Sequence, residues 1–303
     1  GEKVLLDETL DLAPDRPCIR TLPLAEDTPS TDLKALLIDA DGRTLIEYQP
    51  IERAPVDALP PVVEQPPAPK DIETVEELYL TGFRTEQIHK PSLDPFDYYR
   101  EALRRDPDDS RTNTIVGINY NKRGQYALAE EHLRRAIGRI SAEYTRPGDT
   151  EAYYHLGLAL KAQGRFDAAE DAFYRATWDY AFHSAAYYQL AMLSCRRGQF
   201  AAALEQIDES LSTNTRDTRA INARAMILRH LGRYEQAYRL PLRVLADDPL
   251  DFLAMNELHL AHSAAGNASH AAGVRRRQAE RMRDDVQAYI ELATDYMDGG
   301  LWD

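Results

Sequence analysis

One phrase returns along this chain at a fixed interval. Gly164-Arg165-Phe166-Asp167-Ala168-Ala169, Gly198-Gln199-Phe200-Ala201-Ala202-Ala203 and Gly232-Arg233-Tyr234-Glu235-Gln236-Ala237 all read Gly–polar–aromatic–x–x–Ala, each 34 residues from the last. Gly266 and Gly300 continue the series at the same spacing, and Gly124-Gln125-Tyr126 opens it 40 residues before Gly164. A unit this short cannot hide its apolar flank alone, so it must stack on copies of itself. The period predicts a mainly α chain: a right-handed solenoid of about six to seven helical hairpins. The units read 76–109, 110–149, 150–183, 184–217, 218–251 and 252–285, with a partial one at 286–303. The extra residues of the second unit fall near 140–149, where Arg146-Pro147-Gly148-Asp149 marks a longer loop.

The residue types fit such a stack. Small side chains at the eighth position (Gly117, Gly157, Ala191, Ala225) let the two helices of a unit approach, as do Ala129, Ala169, Ala203, Ala237 and Ala271 on the second helix. Tyr153, Leu156, Phe173, Tyr187, Leu190, Ile207 and Leu228 are expected to fill the space beside them, each contributing about 1.5–3 kcal/mol on burial. Asp94 is placed to cap a helix that begins at Pro95. Pro241 falls inside a second helix and predicts a kink or an early end there.

Ahead of the repeats the pattern changes. Residues 1–52 read as strands, with Val4–Leu6, Thr9–Leu12 and Cys18–Leu22 followed by two runs flanking the hairpin turn Asp41-Gly42. That much sheet reads as the remnant of a β-sandwich. Residues 53–72 form a Pro-rich, semi-stiff linker, and 73–303 form the solenoid. Both ends read as cut. Tyr289, Leu292, Ala293 and Tyr296 are predicted to pack a partner helix beyond the chain.

Much chemistry is disfavoured. The net charge of −14 argues against nucleic acid as partner, and no apolar run is long enough to span a membrane. Cys18 and Cys195 are too few for a disulfide framework or a thiolate metal site. Phosphate loops, nucleophile elbows and zinc motifs are all absent from the sequence. His259 and His262 stand three apart, with only Glu257 and His270 nearby, and read as packing residues. No cofactor, metal or catalytic residue is therefore expected, the segment reads as non-enzymatic, and the cytoplasm is the favoured compartment.

The charge is uneven. Residues 1–75 carry 16 acidic and 7 basic side chains, whereas the solenoid is nearly balanced. Projecting the repeat places Arg84, Arg111, Asn121, Lys122, Tyr154, Lys161, Tyr188, Met192, Arg196, Arg219, Asn222 and Arg229 on the inner face, against Glu77, Glu151 and Asp298. This predicts a basic, aromatic-lined groove for a protein or peptide partner. An acidic or C-terminal carboxylate-bearing segment, or another domain of the same chain, would suit it.

The repeat pattern resembles tetratricopeptide proteins across residues 76–303. Leu78–Gly82, Asp97–Leu103 and Ala172–Trp178 are also similar to the back half of large bacterial proteins whose front domain is linked with sugars, and Leu10–Pro14 resembles the joining β-strands. That likeness implies carbohydrate metabolism as context. It raises an alternative reading as the accessory region of a carbohydrate-active enzyme, holding glycan through Tyr154 and Tyr188. The Lys/Asn spacing of the chaperone-tail carboxylate clamp is absent.

Overall fold

A computed structural model describes residues 3–12, 18–25, 27–52, 65–88, 92–143 and 145–301. The chain separates into two units, residues 1–65 and 66–303.

In the first unit, β1 (Ala35–Ile38) and β2 (Thr44–Tyr48) pair antiparallel, with Ala35 opposite Tyr48 and a register shift at Leu37/Ile38. The turn is held by Asp39, whose Oδ1 accepts from the amides of Asp41 and Arg43 at 3.0 and 2.8 Å. The segments 4–6, 9–12 and 18–22, expected as strands, are not strands. A strand needs a partner to satisfy its backbone, and among the described residues the pair joined by a tight turn is the one that finds it. The small sheet is therefore two-stranded. Most of the Pro-rich linker lies outside the described residues. Its last part is not linker at all: Pro69–Asp71 forms a short 3-10 turn packed on the first hairpin. Arg105 donates to the carbonyls of Ile72 (2.6 Å), Glu73 (2.9 Å) and Pro69 (3.3 Å), and Tyr98 donates to Pro67.

The second unit is a stack of helical hairpins. These are α1 (Val75–Ile88) with α2 (Pro95–Arg105), α3 (Ser110–Lys122) with α4 (Tyr126–Ile140), α5 (Glu151–Ala162) with α6 (Phe166–Ala176), and α7 (Tyr180–Arg196) with α8 (Phe200–Thr213). They continue as α9 (Thr218–His230) with α10 (Tyr234–Asp247) and α11 (Phe252–Ala264) with α12 (Ala268–Met282), followed by α13 (Val286–Asp298). The period is written in the turns. Asp217, Asp251 and Asp285 accept the first free amides of α9, α11 and α13. Gly198 turns α7 into α8 at φ 70°, and the amide of Gln199 reaches back to the Ser194 carbonyl at 2.9 Å.

Close approach inside a hairpin is equally sequence-encoded. A methyl group built on Gly157 would stand 2.5 Å from Phe173 Cε1, so only glycine lets α5 and α6 meet there. Asp94 caps α2 through the Phe96 amide, as expected. Pro241 does not end α10, which runs through it from Tyr234 to Asp247. Ala237, Pro241 and Val244 are all buried, so packing on that face holds the helix across the missing hydrogen bond. One central cluster joins Tyr188, Met192, Cys195, Ile207, Met226 and Ile227. Burial there pushes the Cys195 thiol up to about 12, while Cys18 is only half-buried.

Candidate interaction groove

The first helices of neighbouring units touch one another, α3 with α5, α5 with α7 and α9 with α11, and so form the inner layer of the stack. Their side chains line the inner surface that the repeat pattern predicted to be basic.

That surface is covered. The sequence reads α13 as the start of a seventh regular unit, yet α13 does not stack on α12. The reason is local. Arg283 and Asp284 both adopt left-handed backbone, at φ 49° and 56°, a conformation costing about 1–2 kcal/mol for each non-glycine residue. The chain is thereby turned inward, and α13 lies along the inner layer, meeting α11, α9, α7 and α5 in succession. Tyr296 and Leu301 pack on the Met192–Ile227 cluster, and Gly299 comes against Met192. This is the correction to the expected missing partner helix: Tyr296 is seated within the chain itself.

Polar contacts fix the register of α13. The Lys161 ammonium donates to Asp298, and to Gln189 Oε1 at 2.7 Å. Arg219 stands 3.5 Å from Asp295 and 3.9 Å from Asp298, with its guanidinium 5.0 Å over the Tyr188 ring. Arg196 donates to the Met297 carbonyl at 2.9 Å, placing a cation at the negative end of the helix dipole. Tyr296 donates to Glu257 at 2.5 Å and accepts from Asn256 at 2.8 Å. Glu257, 0 % exposed, is also held by Arg229 through two bonds of 3.1 Å.

These charges are not cheap to bury. Burial lowers the affinity of Lys161 for its proton despite the opposing pull of Asp298. It raises Asp295 despite Arg219. Burial and the neighbouring Glu257 together push the Tyr296 hydroxyl well above its ordinary range. For Arg229 burial pulls downward, and its bonds to Glu257 outweigh that pull. The ionic contacts therefore select sign and register, while the apolar seat of Tyr296 and Leu301 supplies most of the net attraction.

Of the twelve groove residues read from the sequence, Lys161, Tyr188, Met192, Arg196 and Arg219 converge on α13, and Arg229 reaches it through Glu257. The others go elsewhere. Arg84 is exposed on α1. Arg111 pairs with Glu76 over the Tyr79 ring, and Lys122 pairs with Glu86. Asn121 donates to the His155 carbonyl, and Asn222 donates to Asp251. Tyr154 packs among His155, Phe173 and Phe182. The residues missed were the anions, Asp295 and Glu257, with Tyr296 between them in space. Their signal was present: Asp295-Tyr296-x-Asp298 puts two carboxylates one turn apart beside an aromatic ring. A cleft of about 320 Å³ remains beside α13, lined by Arg219, Asn222, Asp251, Glu291 and Asp295.

His259 bonds the Ala271 carbonyl, and His262 stacks on Tyr238. Among the described residues no group of three or more potential ligands is placed to hold a metal ion, and no helix is long and apolar enough to cross a membrane.

Comparison with known proteins places this geometry. A family model for the tetratricopeptide repeat matches residues 108–177, and one described as the second domain of YphG-like protein matches residues 1–48. Tetratricopeptide repeat protein 7A of Homo sapiens is 33% identical over 96 residues, which is 32% of this chain and 10% of that protein, so the chain spans a small part of this relative's length. Among solved structures, PilF of Pseudomonas aeruginosa aligns with a TM-score of 0.58 at 18% identity, covering 73% of this chain and 97% of that one. PilW, a type IV pilus biogenesis factor, aligns at 0.59 and 17% identity, covering 72% and 98%. YrrB, a TPR protein with an unusual peptide-binding site, aligns at 0.50 and 17% identity, covering 64% and 96%. At such identities the likeness is one of fold.

Proposed function

We propose that this tetratricopeptide-type solenoid is a protein-interaction scaffold whose inner face holds acidic, carboxylate-bearing segments, and that α13 is the segment held here. One observation carries the reading: Lys161, Arg196 and Arg219, from three successive units, converge on the carboxylates and last carbonyls of one helix. The peptide-binding site named for YrrB, a solenoid of similar fold, supports a peptide or protein partner for this chain. The Arg196 bond to the Met297 carbonyl contributes about 1.5–3 kcal/mol, and the half-exposed Arg219 pairs add about 0–1 kcal/mol. The test is Arg196→Glu with Arg219→Glu, read by hydrogen exchange of the α13 amides. Exchange should accelerate by about tenfold or more, each factor of ten being about 1.4 kcal/mol. Unchanged protection would show that the cations do not hold the helix.

A second reading is domain assembly inside a larger polypeptide, favoured by the match of residues 1–48 to a domain that is the second of its parent. A glycan platform on Tyr154 and Tyr188 gains no such support, since Arg219 covers the Tyr188 ring and aromatic neighbours enclose Tyr154.

A further inference from the structure

The place of α13 is set by two left-handed non-glycine residues, Arg283 and Asp284. Asp285 starts α13 afresh as an extended cap, and returning Arg283 and Asp284 to ordinary backbone would redirect α13 and withdraw it from the inner face. The helix that occupies this face is also incompletely enclosed. Val286, Tyr289, Ile290 and Met297 remain exposed on its outer side, and a cleft persists along the edge it presents to α9 and α11. A tethered ligand enjoys a high effective concentration, but here the tether itself is strained, which lowers that advantage.

We propose that α13 is a displaceable stand-in, and that the inner face receives a helix of a partner protein carrying the same chemistry. This rests on the reading of the inner face as the binding surface. The contacts define the chemistry closely. The incoming helix presents a carboxylate to Arg219, a tyrosine hydroxyl to Glu257 one residue later, and a second carboxylate to Lys161 two residues after that. Arg196 takes a carbonyl of its last turn. A glycine turn then drops a leucine onto the Met192 cluster, as Gly299, Gly300 and Leu301 do here. The sequence recognised is thus Asp-Tyr-x-Asp-Gly-Gly-Leu or its chemical equivalent, entering with its C-terminus towards α5 and α7. Alternating cations and one buried acceptor discriminate it from a uniformly acidic peptide: the tyrosine must donate where the flanking groups accept.

The test uses a fluorescently labelled peptide of residues 285–301 titrated with the full chain and read by anisotropy. Asp295→Lys with Asp298→Lys in the chain sets like charges against Arg219 and Lys161, and so empties the inner face without altering it. This variant should bind the peptide at least about tenfold more tightly than the parent chain, the gain expected when a competitor worth about 1.4 kcal/mol is removed. A peptide with both aspartates changed to lysine, or with tyrosine changed to phenylalanine, should bind more weakly. Equal binding of parent and variant chains, or of the peptide and its lysine form, overturns the proposal. Sedimentation of the parent chain at the same concentrations adds a second check: a dimer formed by exchange of α13 between copies would make a second copy, not a partner, the occupant. Hydrogen exchange of α13 separates the two levels of the argument. Protection lost in the lysine variant without any gain in peptide binding refutes the displaceable stand-in alone. Absence of protection in the parent chain refutes the inner face as a binding surface.

Discussion

Replacing Arg229 by Met leaves the buried carboxylate of Glu257 without its two guanidinium bonds while keeping the length of the side chain. Glu257 is 0 % exposed and, among the described residues, keeps the Tyr296 hydroxyl as its donor. Stranding one member of a buried pair costs about 3–5 kcal/mol, which is large against the 5–15 kcal/mol that holds an ordinary domain together. Arg229→Met with Glu257→Leu removes both charges, and the α9–α11 contact should return to within about 1 kcal/mol of the parent or exceed it. The double variant still loosens α13, because Tyr296 has lost its acceptor. Solenoid units open separately, so the measurement is native-state hydrogen exchange resolved over α9, α11 and α13, beside a urea midpoint. A single variant within about 1 kcal/mol of the parent across α9 and α11 would refute the account of this pair.

Other outcomes follow from the packing. Gly157→Ala gains about 1 kcal/mol of helix propensity but drives a methyl group into Phe173, at an overpacking cost of about 1–3 kcal/mol. A net loss in urea stability is expected, and combining it with Phe173→Leu should cost less than the sum of the two single changes. Burial, aided by Lys122, holds His155 down to about 4. The unfolded chain takes that proton near 6.5, so stability falls as pH drops from about 6.5 to 4, by up to about 3 kcal/mol. His155→Phe should flatten that part of the pH profile of the urea midpoint, and an unchanged profile would assign the loss to other groups.

The repeat was legible because its punctuation is local. An aspartate caps α3, α7, α9, α11 and α13, and a glycine of positive φ recurs from Gly124 to Gly300, and both can be read without knowing what lies across the stack. The close contact at Gly157 was legible for the same reason. The path of α13 was not. Asp285 and Gly300 keep the register of a seventh unit, and the departure is made by Arg283 and Asp284, neither of which advertises a left-handed turn as glycine would. The basic composition of the inner face was readable from helical projection, but its partners were not. Arg229 to Glu257 and Lys161 to Asp298 are contacts between units, set by how far the array curves. Pro241 shows the opposite failure, where tertiary packing on Ala237 and Val244 overrides a strong local signal. At the other end, residues 66–72 look like spacer by composition, and Arg105 shows that they form the edge of the stack.

The enclosed thiol of Cys195 gives the chain its own stopwatch. A sulfur held in its protonated form, out of reach of reagent, can be alkylated only when the cluster around it opens, so the pace of its capture times how often the middle of the stack breathes. The more accessible Cys18, in the other unit, reacts without that wait and marks the start of the clock.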